Sequence, residues 1–175
     1  MDHIIVLYKS NTGFTKKYAE WIAEELDCKA VSIKDIHDND IKNYKTIIFG
    51  GGIHAGRISG LHTFKKITLN QKDINTIIFA TGAAPKEATN IDHLIRTNLN
   101  QDEASSIPLF YFHSGINYEN MGLGSKGLMK MFKAMLKNNK NKTPEEQGMY
   151  ETISKSHDYS KKEYITPLVK YVKEQ

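Results

Sequence analysis

A chain of 175 residues, 39% hydrophobic and 25% charged, is long enough for one domain with a full core, and this composition excludes a disordered or fibrous architecture. The apolar runs have strand lengths, well short of the roughly 20 residues of a membrane-spanning helix, and the single cysteine, Cys28, excludes an internal disulfide. The net charge of +4 is small but concentrated: Asn120 to Thr143 holds six lysines (Lys126, Lys130, Lys133, Lys137, Lys140, Lys142) and no acid. Such a segment attracts anionic partners or is simply a solvated helix face.

The chain enters an apolar run, "HIIVLY", at residue 3, which leaves no room for a signal peptide; a cytoplasmic protein is expected, or one peripheral at the inner face of the membrane. Next comes "YKSNTGFTKKYAEW", in which two hydroxyl residues, an asparagine and a glycine lead into a helical pattern. Residues 15 to 26 put Tyr18, Ala19, Ile22, Ala23 and Leu26 on one face. "KAVSIKD" at 29 alternates Val31 and Ile33 with polar residues, the pattern of a half-exposed edge strand. "KTIIFGG" at 45, "TIIFATG" at 76 and "IPLFYFHSG" at 107 are continuous apolar runs, as in strands covered on both faces of a parallel sheet. Between them lie a short helical segment with Leu61, Phe64 and Ile67, and a second over 87 to 99 with Ala88, Ile91, Leu94, Ile95 and Leu99.

The alternation predicts a doubly wound α/β domain over 1–175 with no linker. Its five parallel strands take the order 2-1-3-4-5, which makes the second and fifth strands edges. The fifth run is too apolar for a bare edge, so a later segment is expected to cover it. The candidate is a basic, Met-rich insert at about 116–142. Its residues 125 to 138 bring Leu128, Phe132, Met135 and Leu136 to one face with Met129 and Met131 beside it. The insert has two further readings, a docking surface for an acidic redox partner and, over 125–142, an amphipathic helix on an anionic membrane surface. "TPEE" at 143 starts a fresh helix. In the last segment Ser160 and Glu163 form a capping-box pattern, and Pro167 either kinks that helix or marks a later start.

A hydroxyl-rich strand-to-helix turn at the end of the first parallel strand is where such sheets bind phosphate. Ser10, Thr12 and Thr15 carry donors, Gly13 lets the backbone curl toward an anion, and the helix beginning at Phe14 or Thr15 adds its dipole. With no lysine in the loop and no P-loop spacing, a single terminal phosphate is a better guest than a nucleoside triphosphate. The other reading is that these residues only cap the helix.

The stretch Ser10-Asn11-Thr12-Gly13-Phe14-Thr15 resembles the phosphate signature of flavodoxins, [ST]-x-T-G-x-T, and the resemblance extends through all five strands in order. It implies flavin mononucleotide (FMN) as cofactor. The flavin ring is then expected on Gly52, Ile53, His54 and Ala55 after the third strand and on Thr81, Gly82, Ala83 and Ala84 after the fourth, with Ser114 and Gly115 after the fifth. Neither ring loop carries the aromatic side chain that many flavodoxins place there, and Trp21 in the first helix is read as packing. The spacing of Gly50, Gly52 and Gly56 is one residue out for a dinucleotide fingerprint and follows the wrong strand.

"FYFHSGINYENMGLGSKGLMKMFKAMLKNNKN" and "GGGIHAGRISGLHTF" resemble the menaquinone-dependent protoporphyrinogen oxidase branch of that family. That likeness implies oxidation of a porphyrinogen by hydride transfer to the flavin, with reoxidation by a quinone or a redox protein. Arg57, Lys86, Lys126 and Lys130 would meet the substrate's carboxylates or a partner. His54 and His113 would move protons, the plainer reading of each being a loop histidine with a satisfied hydrogen bond. Three functions stay open: electron carrier, porphyrinogen oxidase, and a non-redox module for a phosphate ligand. No metal site is expected because the histidines lack ligand spacing, and no nucleic-acid role because the lysines come without a reading motif.

Overall fold

The continuous apolar runs become the centre of one sheet because every residue in them finds a covered face. The computed structural model describes residues 3–68 and 74–175. Strand β1 (Ile4–Lys9) leads into helix α1 (Phe14–Glu25), β2 (Lys29–Ser32), a single helical turn α2 (Asp38–Ile41), β3 (Thr46–His54), β4 (Arg57–Ile58) and α3 (Leu61–Thr68). Then follow β5 (Asn75–Gly82), α4 (Ile91–Asn98), α5 (Gln101–Ser106), β6 (Leu109–His113), β7 (Gly115–Ile116), α6 (Leu123–Asn138), α7 (Pro144–Thr152), β8 (His157–Asp158) and α8 (Thr166–Lys173).

The main sheet runs β2-β1-β3-β5-β6, all parallel, with β4 folded back antiparallel on the end of β3. Counting the parallel strands alone, this is the expected order 2-1-3-4-5. Alternate residues feed two layers. Ile5, Leu7, Ile47, Phe49, Ile78 and Ala80 pack with Leu61, Phe64 and Leu94 of α3 and α4. On the opposite face Val6, Ile48, Ile77, Phe79 and Phe112 pack with Tyr18 and Ile22 of α1 and Leu168 and Val169 of α8. Trp21 belongs to this second layer, edge-on to Tyr18 at 5.4 Å. Among the described residues no helix is long and apolar enough to cross a membrane.

Three expectations are corrected. The cover of β6 is not the basic insert but the C-terminal helix: Phe112 is buried with Leu168 and Val169, and Phe110 meets Tyr171 at 6.0 Å. The later of the two starts holds, with α8 beginning at Thr166 and Pro167 in its first turn, where the missing N–H costs nothing. The capping box at Ser160 does not form; a 3₁₀ turn over Lys162–Ile165 stands there, with Lys161 as its uncapped N-terminal flank.

Freed from β6, the insert builds a small core of its own. β7 pairs antiparallel with β8, so residues 117 to 156 leave and re-enter through one short ribbon. Within that excursion Ile116, Leu136 and Ile153 are buried together, with Met129, Phe132 and Tyr150 beside them. The third correction lies here. Leu128 and Met135, expected on the covering face, are 45% and 60% exposed, and Met131, expected beside it, is 64% exposed. α6 packs in this small core through one narrow stripe (Met129, Phe132, Leu136), and the next row along the helix is left outside.

Candidate functional site

At the C-terminal edge of the sheet the chain leaves β1 through Ser10, Asn11 and Thr12 and turns at Gly13, whose φ of +100° is a left-handed conformation that favours glycine. The Gly13 N–H donates to Ser10 Oγ at 3.1 Å, which closes the turn. Helix α1 then starts with no side-chain cap and no acidic residue in its first turn. Among the described residues no side chain caps the N–H groups of its first turn, and with the helix dipole they form the arrangement that suits an anion.

Thr15, in that first turn, is buried, and its hydroxyl lies 2.9 Å from the Thr81 hydroxyl at the end of β5. Gly52 faces both: a Cβ added there would stand 3.5 Å from Thr15 Oγ1 and 3.7 Å from Thr81 Oγ1. The first loop and both ring loops thus meet at one point. Asn117, which sequence reasoning missed, ties the excursion to the same place by donating from Nδ2 to the Thr12 carbonyl at 3.2 Å.

The segment 52–55 is a strand end and not an open loop. Gly52, Ile53 and His54 belong to β3, and Ala55 and Gly56, with φ of +48° and +77°, form the two-residue turn into β4. Asn98, also missed, staples this hairpin: its Oδ1 accepts from the Ile58 N–H at 2.8 Å and its Nδ2 donates to the Gly56 carbonyl at 2.9 Å. Lys65 donates to the Asn98 carbonyl at 2.9 Å and to Glu103 Oε2 at 2.5 Å, and Glu103 in turn closes a capping box with Asn100. Asn98→Ala is expected to leave the fold intact but raise amide exchange at Ile58 by roughly tenfold, the loss of about one net hydrogen bond from its N–H. Unchanged protection would remove Asn98 from the site.

Burial by itself raises the Glu103 carboxyl, but the Lys65 ammonium and the Asn100 N–H outweigh it and hold the group below its ordinary 4.5. A depressed folded value means the stabilisation is full above 4.5 and is lost as pH falls through the folded value. Glu103→Gln should cost about 1 kcal/mol at neutral pH and nothing at pH about 2, read from thermal midpoints of both proteins across that range.

In the second ring loop the carbonyls are already committed. Gly82 O accepts from the Ser114 N–H at 2.8 Å and Ser114 Oγ at 3.0 Å, Ala83 O from His113 Nε2 at 3.1 Å, and Ala84 O from the Tyr111 hydroxyl at 2.5 Å. Because a carbonyl only accepts, Nε2 of His113 carries the proton in this contact. The ring of His113 also meets Tyr159 at 5.1 Å, and Tyr159 meets His157 at 4.6 Å. Tyr159 is held by its N–H on the Ser114 carbonyl at 2.8 Å, and Asp158 by Lys17 of α1 at 2.8 Å. Burial raises the Asp158 carboxyl, yet the bonds from Lys17 and Ser160 leave it below the ordinary carboxylate value. An aromatic side chain therefore does reach the edge of the site, from a C-terminal segment whose only sequence signal is a short "SHDYS" run.

The remaining candidates are dispersed. His54 is exposed at the hairpin end, paired through its backbone with Arg57. Lys86 lines a cavity of about 200 Å³ with Tyr111, His113 and Tyr164. Lys126 and Lys130, with Lys133, Tyr118, Glu119 and Ser154, line a second cavity of about 490 Å³, and Arg57 lines neither. The small core of the excursion also packs on Ala83, which sets the excursion against the second ring loop.

Residues 5–143 match the family model described as flavodoxin domain, and the chain belongs to that family. No curated protein matches. Among solved structures, the chain is similar to a flavodoxin from the domain Archaea (20% identity over 62% of this chain and 84% of that one, TM-score 0.44). It is similar to a flavodoxin, WrbA-like protein from Agrobacterium tumefaciens (18% identity, 71% and 87% covered, TM-score 0.43). Rubredoxin oxygen:oxidoreductase from Desulfovibrio gigas is matched over 98% of this chain and 37% of its own length at 14% identity, TM-score 0.44.

Proposed function

We propose that the protein binds FMN and works as a redox protein through it. The carrying observation is the uncapped start of α1 behind the Gly13 turn, opposite the junction of Thr15, Gly52 and Thr81. Ser10, Asn11, Thr12, Gly13, Phe14 and Thr15 form the turn that takes the phosphate. Backbone of Gly52 to Ala55 and of Thr81 to Ala84, with Ser114 and Gly115, borders the ring. Bound FMN supplies the electron-accepting and electron-donating chemistry. The chain's part is to hold it: the helix terminus selects the phosphate, the stapled hairpin keeps the ring's border rigid, and the bonds that the Gly82, Ala83 and Ala84 carbonyls accept from Ser114, His113 and Tyr111 fix that loop.

A porphyrinogen oxidase passing electrons to a quinone or a redox protein is the second reading. It is favoured by the lysine-lined cavity of about 490 Å³ in an excursion that leans on Ala83. Lys126 and Lys130 would hold substrate carboxylates, and His113, its Nε2 committed, would exchange protons through Nδ1. The discriminating experiment is anaerobic turnover of protoporphyrinogen by the FMN-loaded protein with a menaquinone analogue, against free FMN. Turnover well above the blank selects the oxidase. Bound, reducible FMN without turnover selects electron carriage, and bound FMN that cannot be reduced leaves only the phosphate-ligand module.

A further inference from the structure

We infer that helix α6 is a docking surface for an anionic lipid bilayer; this goes beyond the flavin reading and does not rest on it. The outward half of α6 is divided lengthwise. Lys126, Lys130, Lys133 and Lys137 form one row at spacings of four, three and four; Lys130 and Lys137 are exposed, while Lys126 and Lys133 are half-buried with their ammoniums on the Glu119 and Ser154 carbonyls. Leu128, Met131 and Met135, spaced by three and four, form the other, 45%, 64% and 60% exposed, and Leu123 at the helix start is 88% exposed. Between the rows lie the small residues Gly127 and Ala134. A plane laid on this half of the helix meets both rows: the Met and Leu side chains enter the acyl boundary while the stems of Lys130 and Lys137 lie flat and their ammoniums reach phosphate groups. No acidic residue interrupts the segment from Asn120 to Thr143.

Composition decides between a bilayer and a protein partner. Protein interfaces are enriched in aromatic residues and arginine and depleted of lysine at their core. The outward half of α6 has lysine as its only charged residue and no exposed aromatic, the reverse of that pattern. The helix start supports the same occupant. Gly124 and Gly127 give it low intrinsic helicity, its N-cap Gly122 supplies no side-chain cap, and nothing packs within 4 Å of a Cβ built at any of the three glycines. This end of the helix is therefore open on the outside and gains order from a surface that covers it.

The test is sedimentation of the full chain with vesicles of equimolar phosphatidylglycerol and phosphatidylcholine, against pure phosphatidylcholine, in low and high salt. Binding to the anionic vesicles only, weakened by salt, is expected. Lys130→Glu with Lys137→Glu should reduce partitioning by roughly tenfold or more. Met131→Asn with Met135→Asn should also reduce it while leaving the thermal midpoint unchanged, since both side chains are exposed. Equal binding to neutral vesicles, no binding, or binding that survives both pairs of substitutions overturns the inference. So does self-association that the methionine pair abolishes, which would make a second copy the occupant, or capture by polyglutamate in place of vesicles, which would make it an acidic polypeptide.

Discussion

Gly13→Val is expected to weaken FMN by at least about a hundredfold while leaving the affinity for riboflavin unchanged. Valine at φ +100° is strained whatever the space around it, at a cost on the order of 1–2 kcal/mol. The larger effect is that relieving the strain re-aims the N–H groups that lead into α1, and each charge-assisted bond to a phosphate is worth about 1.5–3 kcal/mol. Riboflavin lacks the phosphate and reports only on the ring's border. Thr12→Ala, which removes one hydroxyl from a turn that keeps its shape, should give about a tenfold loss in the same direction. Fluorescence titration of both ligands against both variants separates the cases. Equal losses for FMN and riboflavin would mean that the turn serves the fold and not the phosphate.

Gly50→Ala is expected to destabilise the protein by about 3 kcal/mol, at the upper end of the cost of overpacking a core. The Cβ would lie 2.0 Å from Cζ of Phe79 and within 2.5 Å of both its ε carbons. Phe79 is fully buried, with its ring 5.4 Å from that of Phe112, so it has nowhere simple to go. Shrinking the obstacle tests the cause: Phe79→Leu on top of Gly50→Ala should recover part of the loss, so that the two changes are less than additive in denaturant unfolding. Full additivity would place the damage of Gly50→Ala in the β3 backbone and refute the packing account. The same crowding explains the first glycine of "FGGG" in β3: Gly50 is demanded by a side chain on the neighbouring strand, whereas Gly52 faces the open junction of Thr15 and Thr81.

The sheet was legible because a strand buried on both faces must be apolar throughout, and "TIIF" occurs twice at that density; the edge strand β2 was legible for the opposite reason, its alternation of Val31 and Ile33 with polar residues. The Gly13 turn could be read because its hydroxyls, glycine and helix start are contiguous. Asn98, Asn117 and Tyr159 could not be read. Each acts on a segment more than 40 residues away or through a two-residue ribbon, and an asparagine that staples a distant hairpin looks locally like any helix terminus. The periodicity of α6 showed that the helix is amphipathic but not how much of its apolar arc has a partner, and the answer depended on α8, at the far end of the chain, taking the place over β6.

We propose that the loop from Ser10 to Thr15 holds the phosphate of a redox-active flavin. It is tested most directly by titrating the wild-type protein with FMN and with riboflavin, followed by anaerobic reduction of the bound ligand. The account predicts that FMN binds at least about a hundredfold more tightly than riboflavin, the measure of two charge-assisted phosphate contacts, and that the bound FMN is reduced and reoxidised without leaving the protein. Equal affinity for the two, or FMN that binds no better than inorganic phosphate competes, would contradict it.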